Sequence, residues 1–172
     1  LTVVTKLIAA DADVDKAMTT DGCTPLYIAA TNGHLAVVAK LIAARADVDK
    51  AATNGSTPLY IAAEKGHPTV VTELAAGGAD VDKAWTTNGC TPLYIAAEMG
   101  HLTVVTKLIE AFADVNKART STGGTPLYIA AQKGHLAVET KLIAAGADHH
   151  CIWAPGVYEA LRARYDRENQ LD

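Results

Sequence analysis

At 172 residues and 49% hydrophobic content, the chain has room for one or two domains and enough apolar material for a sizeable core. Aromatic residues make up only 5%, which argues against a large aromatic-lined pocket and suits helices packed through Ala, Val, Leu and Ile. A formal net charge of -4 gives no electrostatic reason to bind nucleic acid or anionic lipid, and the apolar runs stop well short of the roughly 20 residues that span a bilayer.

The first stretch, LTVVTKLIAADADVDKA, lacks the basic region and cleavage site of a secretory signal. It matches residues 102–118, which places Leu1 inside the second helix of a repeated unit. A first helix is therefore expected before it in a longer protein, and Val3, Val4, Leu7 and Ile8 are expected to leave an open edge through which a second copy can attach. Residues 1–20 are read as a partial first repeat, and four full repeats run from about residue 21 to 148.

The heptapeptide TPLYIAA starts at Thr24, Thr57, Thr91 and Thr125, at steps of 33, 34 and 34 residues. A Gly-His pair follows each copy, at Gly33-His34, Gly66-His67, Gly100-His101 and Gly134-His135. Within each unit the Thr is a helix N-cap, the Pro occupies the first helical position where its missing N–H costs nothing, and the Gly ends the helix. After His34, the spacing of Leu35, Val37, Val38, Leu41 and Ile42 predicts a second helix with one buried face, ending near Ala44. The stretch that follows, ADVDKA and its variant ADVNKA, leads through Thr, Asn and Gly to a tight turn, so it is read as an extended arm. Neither helix is long enough to stand alone in water, and each pair must bury its apolar face against the next.

TPLYIAAxxGH followed by VVxxLIxxxADVD resembles the signature of the ankyrin repeat family, over residues 1 to about 148. The resemblance implies an all-α solenoid of stacked helix-turn-helix units with β-turn fingers. The family has His at the fourth position of the heptapeptide where this chain has Tyr27, Tyr60, Tyr94 and Tyr128, read here as a structural ladder whose hydroxyls seek carbonyl partners. Three fingers carry one residue more than the fourth, which runs from Asp47 to Thr57. The family Gly that closes the second helix is kept at Gly78 and Gly146 but is Asp11, Arg45 and Phe112 elsewhere; if those three take left-handed geometry, each costs roughly 1 kcal/mol relative to Gly. Ala75 stands where other units have Ile8, Ile42, Ile109 and Ile143, which marks the third pair as the weakest. Glu139 replaces a repeated Val and is expected to reach solvent or an Arg of the C-terminal segment. Residues 149–172 leave the repeat, and Pro155 opens a helix with Val157, Leu161 and Tyr165 on one side, read as a terminal cap or a linker.

Chemistry is sought and not found. Equivalent positions in stacked units lie about 10 Å apart, so His34, His67, His101 and His135 do not converge on a metal that needs ligand atoms about 2 Å away. His149, His150 and Cys151 lack a suitably spaced fourth ligand. Cys23 and Cys90 hold equivalent positions two units apart, too far for a disulfide; with three cysteines and no CxxC pair, a reducing, cytoplasmic setting is expected. The only serines, Ser56 and Ser121, lie in finger turns without a hydrolase or phosphate-loop motif, and the paired aspartates read as backbone-bonding turn residues. No cofactor, metal or catalytic residue is assigned.

What remains is a surface for a partner protein, non-enzymatic in function. By the resemblance, partners meet the finger tips and the concave face of the first helices, and the positions that vary between near-identical units mark that strip. In the fingers these are Met18, Thr20, Asp21 and Cys23, then Thr53, Asn54 and Ser56, then Trp85, Thr87, Asn88 and Cys90, and finally Arg119, Ser121 and Thr122. On the first helices they are Thr31 and Asn32, Glu64 and Lys65, Glu98 and Met99, and Gln132 and Lys133. Trp85, Met99 and Arg119 are the types best suited to anchor a partner, though Trp85 equally suits packing against the neighbouring finger. A structural spacer or regulatory segment of a larger multidomain protein is the alternative. The resemblance also implies Asn hydroxylation at the turn position that Asn116 holds.

Overall fold

The computed structural model describes residues 1–148; the expected C-terminal helix and the His149-His150-Cys151 cluster lie outside the described residues. Among the described residues there are nine helices and no strand. They are α1 (Thr2–Ala9), α2 (Pro25–Thr31), α3 (Leu35–Ala43), α4 (Pro58–Glu64), α5 (Pro68–Ala76), α6 (Pro92–Glu98), α7 (Leu102–Glu110), α8 (Pro126–Lys133) and α9 (Leu136–Ala144).

The local signals act as the residues predict. Thr24 Oγ1 accepts the N–H of Tyr27 at 3.1 Å, and Thr57, Thr91 and Thr125 do the same for Tyr60, Tyr94 and Tyr128. Beyond the second helices, Asp11, Arg45 and Phe112 take φ of 59°, 64° and 64°, in the left-handed region. Each costs about 1 kcal/mol relative to glycine.

The first helices α2, α4, α6 and α8 stack in one layer, and the second helices α1, α3, α5, α7 and α9 in another. Between the layers, Leu26, Leu59, Leu93 and Leu127 meet Leu74, Leu108 and Leu142 in a core from which water is wholly excluded. Fully burying one such Leu contributes roughly 1.5–3 kcal/mol, so the stack and not helix propensity holds these short elements. At the first unit a different side of the helix is open: Ile28 is 41% exposed, against 7%, 6% and 4% for Ile61, Ile95 and Ile129. Val3 and Leu7 of α1 are exposed beside it.

Two polar ladders cross the unit boundaries. His67 Nε2 donates to the Thr31 carbonyl, His101 to that of Glu64 and His135 to that of Glu98, each at 3.0 Å. The ring of His67 lies against Gly33, where an added Cβ would come within 2.8 Å of it, and where φ is +69°. Both constraints call for glycine at that position.

The second ladder runs through the paired aspartates. Asp15 takes the N–H of Asp47 on both carboxylate oxygens, Asp49 takes that of Asp80, and Asp82 that of Asp114. Within each unit the earlier member caps the later, as Asp47 Oδ1 does for the N–H of Asp49 at 3.0 Å. Asn116 continues the series, its Oδ1 accepting from Asp148 N at 2.7 Å. These acidic residues are therefore turn and splice groups, as their repetition implies.

Of the two surroundings expected for Glu139, solvent is excluded. The residue is 3% exposed, and the Arg side chains named as its alternative partners lie outside the described residues. Its position on α9 faces the interior because the repeated Val that it replaces is a core position in every other full unit.

Burial pushes the Asp82 carboxyl above its usual 3.8, with the Asp114 N–H and Lys117 pulling against it. A raised carboxyl pKa means that ionised Asp82 works against the fold above that pKa, and that the deficit vanishes as pH falls through it. Asn116 shows that an amide oxygen makes the same bond. Asp82→Asn is therefore expected to raise the urea midpoint at neutral pH, with the advantage shrinking as acid protonates the wild-type residue. A lower midpoint for Asp82→Asn at neutral pH would show that the charge itself strengthens the splice.

Candidate protein-interaction surface

Each finger is a hairpin that folds back on a glycine with positive φ. In the shortest, Gly55 N–H bonds to the Ala52 carbonyl at 2.8 Å, closing a β-turn, and Ala52 N–H bonds to Ser56 O at 3.0 Å. Where a finger has one more residue the tip widens to an α-turn, as in Gly22 N–H to Met18 O at 3.0 Å and Gly89 N–H to Trp85 O at 2.8 Å. The extra residue is absorbed at the tip, and the arms keep their register.

Neighbouring tips are bonded to one another. Thr53 N–H donates to the Asp21 carbonyl at 2.9 Å, and the Thr53 hydroxyl bonds to the same oxygen. Asn54 O receives both the indole N–H of Trp85 and the hydroxyl of Thr87. Ser121 N–H reaches Asn88 O at 3.3 Å. The tips thus form one connected edge and not four separate loops.

Beneath that edge Tyr27, Tyr60 and Tyr94 each meet the finger of the next unit. The Tyr27 hydroxyl pairs with Ser56 Oγ at 2.9 Å; the Tyr60 ring packs on Trp85 at 5.3 Å between centroids, tilted 51°; the Arg119 guanidinium sits over the Tyr94 ring, 5.8 Å from its centroid. The ladder exists, but the partners are side chains of the following finger and not carbonyls. Burial raises the pKa of Tyr60 and of Tyr94; at Tyr94 a hydrogen bond with Arg119 opposes it.

This pairing sorts the variable strip. Cys23, Ser56 and Cys90 are buried, so they leave the accessible surface: their positions point inward, toward the Tyr ring or the finger base. Both thiols are free, and burial pushes each upward in pKa. Trp85 and Arg119 are half-buried, as are Thr31, Glu64, Asn88 and Glu98. Arg119 Nε is shielded from water without a hydrogen-bond acceptor. Met18, Thr20, Asp21, Asn32, Thr53, Asn54, Lys65, Thr87, Met99, Ser121, Thr122, Gln132 and Lys133 are exposed. Met18 at 52% and Met99 at 45% are the largest apolar side chains among them.

The charges on the first helices are locally compensated. Lys65 Nζ lies 3.3 Å from Glu64, and Lys133 Nζ lies 3.8 Å from Glu98 in the preceding unit. Such exposed pairs contribute about 0–1 kcal/mol. They leave a strip with no strong field of either sign, with methionine side chains set among short polar groups. Among the described residues no group of His, Cys, Asp and Glu could hold a metal ion, and no helix is long and apolar enough to cross a membrane.

Two-helix units stacked in one direction, spliced by side-chain ladders and edged by joined hairpins, define a helical-repeat solenoid. A family model for ankyrin repeats, three copies long, matches residues 1–85 and again 78–152, and the chain belongs to the ankyrin repeat family. A comparison with curated proteins finds no match.

Because Trp85 both stacks on Tyr60 and bonds to Asn54 O, Trp85→Ala is expected to lower stability by about 1–2 kcal/mol in denaturant titration. An unchanged midpoint would free Trp85 for the role of a pure contact residue.

Proposed function

We propose that the chain is a non-enzymatic scaffold that captures a partner protein on the joined finger tips and the adjoining first-helix face. Ankyrin repeats are generally protein-interaction modules. The observation that carries the finer reading is the separation of roles within the variable strip. Cys23, Ser56 and Cys90 are spent on the frame, while Met18 and the tip residues are exposed on the connected edge and Lys65, Met99 and Lys133 at the adjoining ends of the first helices. Exposed methionines suit such a surface, because an unbranched thioether adapts to varied apolar shapes. Trp85 and Arg119 contribute indirectly, by fixing the fingers that present the others. Self-association through the open face around Val3, Leu7 and Ile28 is a separate reading of the N-terminal edge.

The test is capture from cell extract by the immobilised chain, with Met18→Glu/Met99→Glu compared against Lys40→Glu on α3. The strip variant is expected to lose the captured protein and the control to keep it, with both melting within a few degrees of wild type. Equal capture by the strip variant would contradict the reading, as would equal loss in the control.

A further inference from the structure

Two departures from the repeat fall on one spot, on the second-helix layer away from the finger strip. After α7, the position that Gly78 and Gly146 hold in sister units is Phe112, with φ of 64° and 90% exposure. On neighbouring α5, Ala75 replaces the Ile of the other units. Together they frame a groove of about 560 Å³ floored by Ala75, Ala76, Ala79 and Ala111, with Phe112 on its rim. Neither residue serves the fold: glycine would relieve the backbone at 112, and isoleucine would fill the space at 75. A strained residue with its ring in water, beside a space that a larger side chain would close, points to something that arrives from outside.

We propose that this face is a contact between two copies of the chain, in which Phe112 of each enters the alanine-floored groove of the other. The self-complementarity of the patch selects a second copy as the occupant. A two-fold contact uses the same patch twice, so the patch must carry both the protruding group and the recess that receives it, side by side. Here they are contiguous. The groove is roomy enough for an aromatic ring, yet the Phe112 ring of the same chain stands out of it.

The rim charges agree with this arrangement. Lys107 and Glu110 lie 2.7 Å apart at the groove, with side chains 39% and 55% exposed. With Asp80 also on the lining, each patch carries one base and two acids, and Lys107 of one copy can be set against Glu110 or Asp80 of the other. The finger strip stays free in such a pair.

Sedimentation equilibrium of the full chain across a micromolar concentration series tests this. The wild type is expected to show a monomer–dimer equilibrium. Phe112→Gly, which removes the ring and suits the backbone, should weaken it at least about tenfold while the monomer melts no lower than wild type. Ala75→Ile should do the same by filling the groove. Val3→Lys, at the open N-terminal edge, should leave the dimer intact. A wild type that stays monomeric throughout would overturn the proposal. So would a dimer that survives both Phe112→Gly and Ala75→Ile, or one that Val3→Lys alone abolishes.

Discussion

Helices of seven to nine residues are too short to hold themselves in water, since nucleating so few turns costs more than their internal hydrogen bonds return. Every full unit in the described residues is built from two of them, so its helical state depends on the unit beside it. The constraint explains where the sequence repeats most strictly. The Leu and Ala positions that face the neighbouring unit are identical in all four heptapeptides, and the Gly-His pair recurs without exception. Change falls on positions that face water and on those, such as Ser56, Trp85 and Arg119, where a finger meets the Tyr of the preceding unit.

The polar splices follow from the same constraint. A buried helix end leaves carbonyls without intrahelical partners, and the His of the next unit supplies a donor to one of them. The aspartate pairs do the complementary work for the N–H groups at the start of each arm. Because each splice joins nearest neighbours only, stability spreads along the array and no side chain is brought to meet its equivalent in another unit. That is the physical reason why the repeated histidines His34, His67, His101 and His135, and the equivalent cysteines Cys23 and Cys90, do not converge on one point.

Much of this was legible in the residues because the signals are local. A Thr-Pro pair, a Gly at a helix end and an Asp two residues before the N–H that it accepts all act within one turn of the chain. Phe112 as a position for left-handed geometry was readable for the same reason. What could not be read was anything decided between units. The Tyr at the fourth position was visible as a ladder, but its partner is Ser, Trp or Arg according to the next finger, about 25 to 29 residues on. The variable positions read as one strip, yet Cys23, Ser56 and Cys90 turn inward, Ser56 and Cys90 against the Tyr of the preceding unit. Solvent was one of the two surroundings that side-chain type suggested for Glu139, and its helix register puts it inside instead. The groove at Ala75 was likewise invisible as a feature, since the sequence showed only a smaller residue and not the neighbour that would have covered it.

The account rests on the hydrogen bonds that carry each unit's register to the next, and the imidazole N–H groups report them directly. In a nitrogen–proton correlation spectrum, His67, His101 and His135 should each show a slowly exchanging proton on Nε2, held by the carbonyls of Thr31, Glu64 and Glu98, while exposed His34 should show none. Four histidines that all exchange freely with water would mean that the units do not lie side by side in this register, and the surface derived from that arrangement would fall with it.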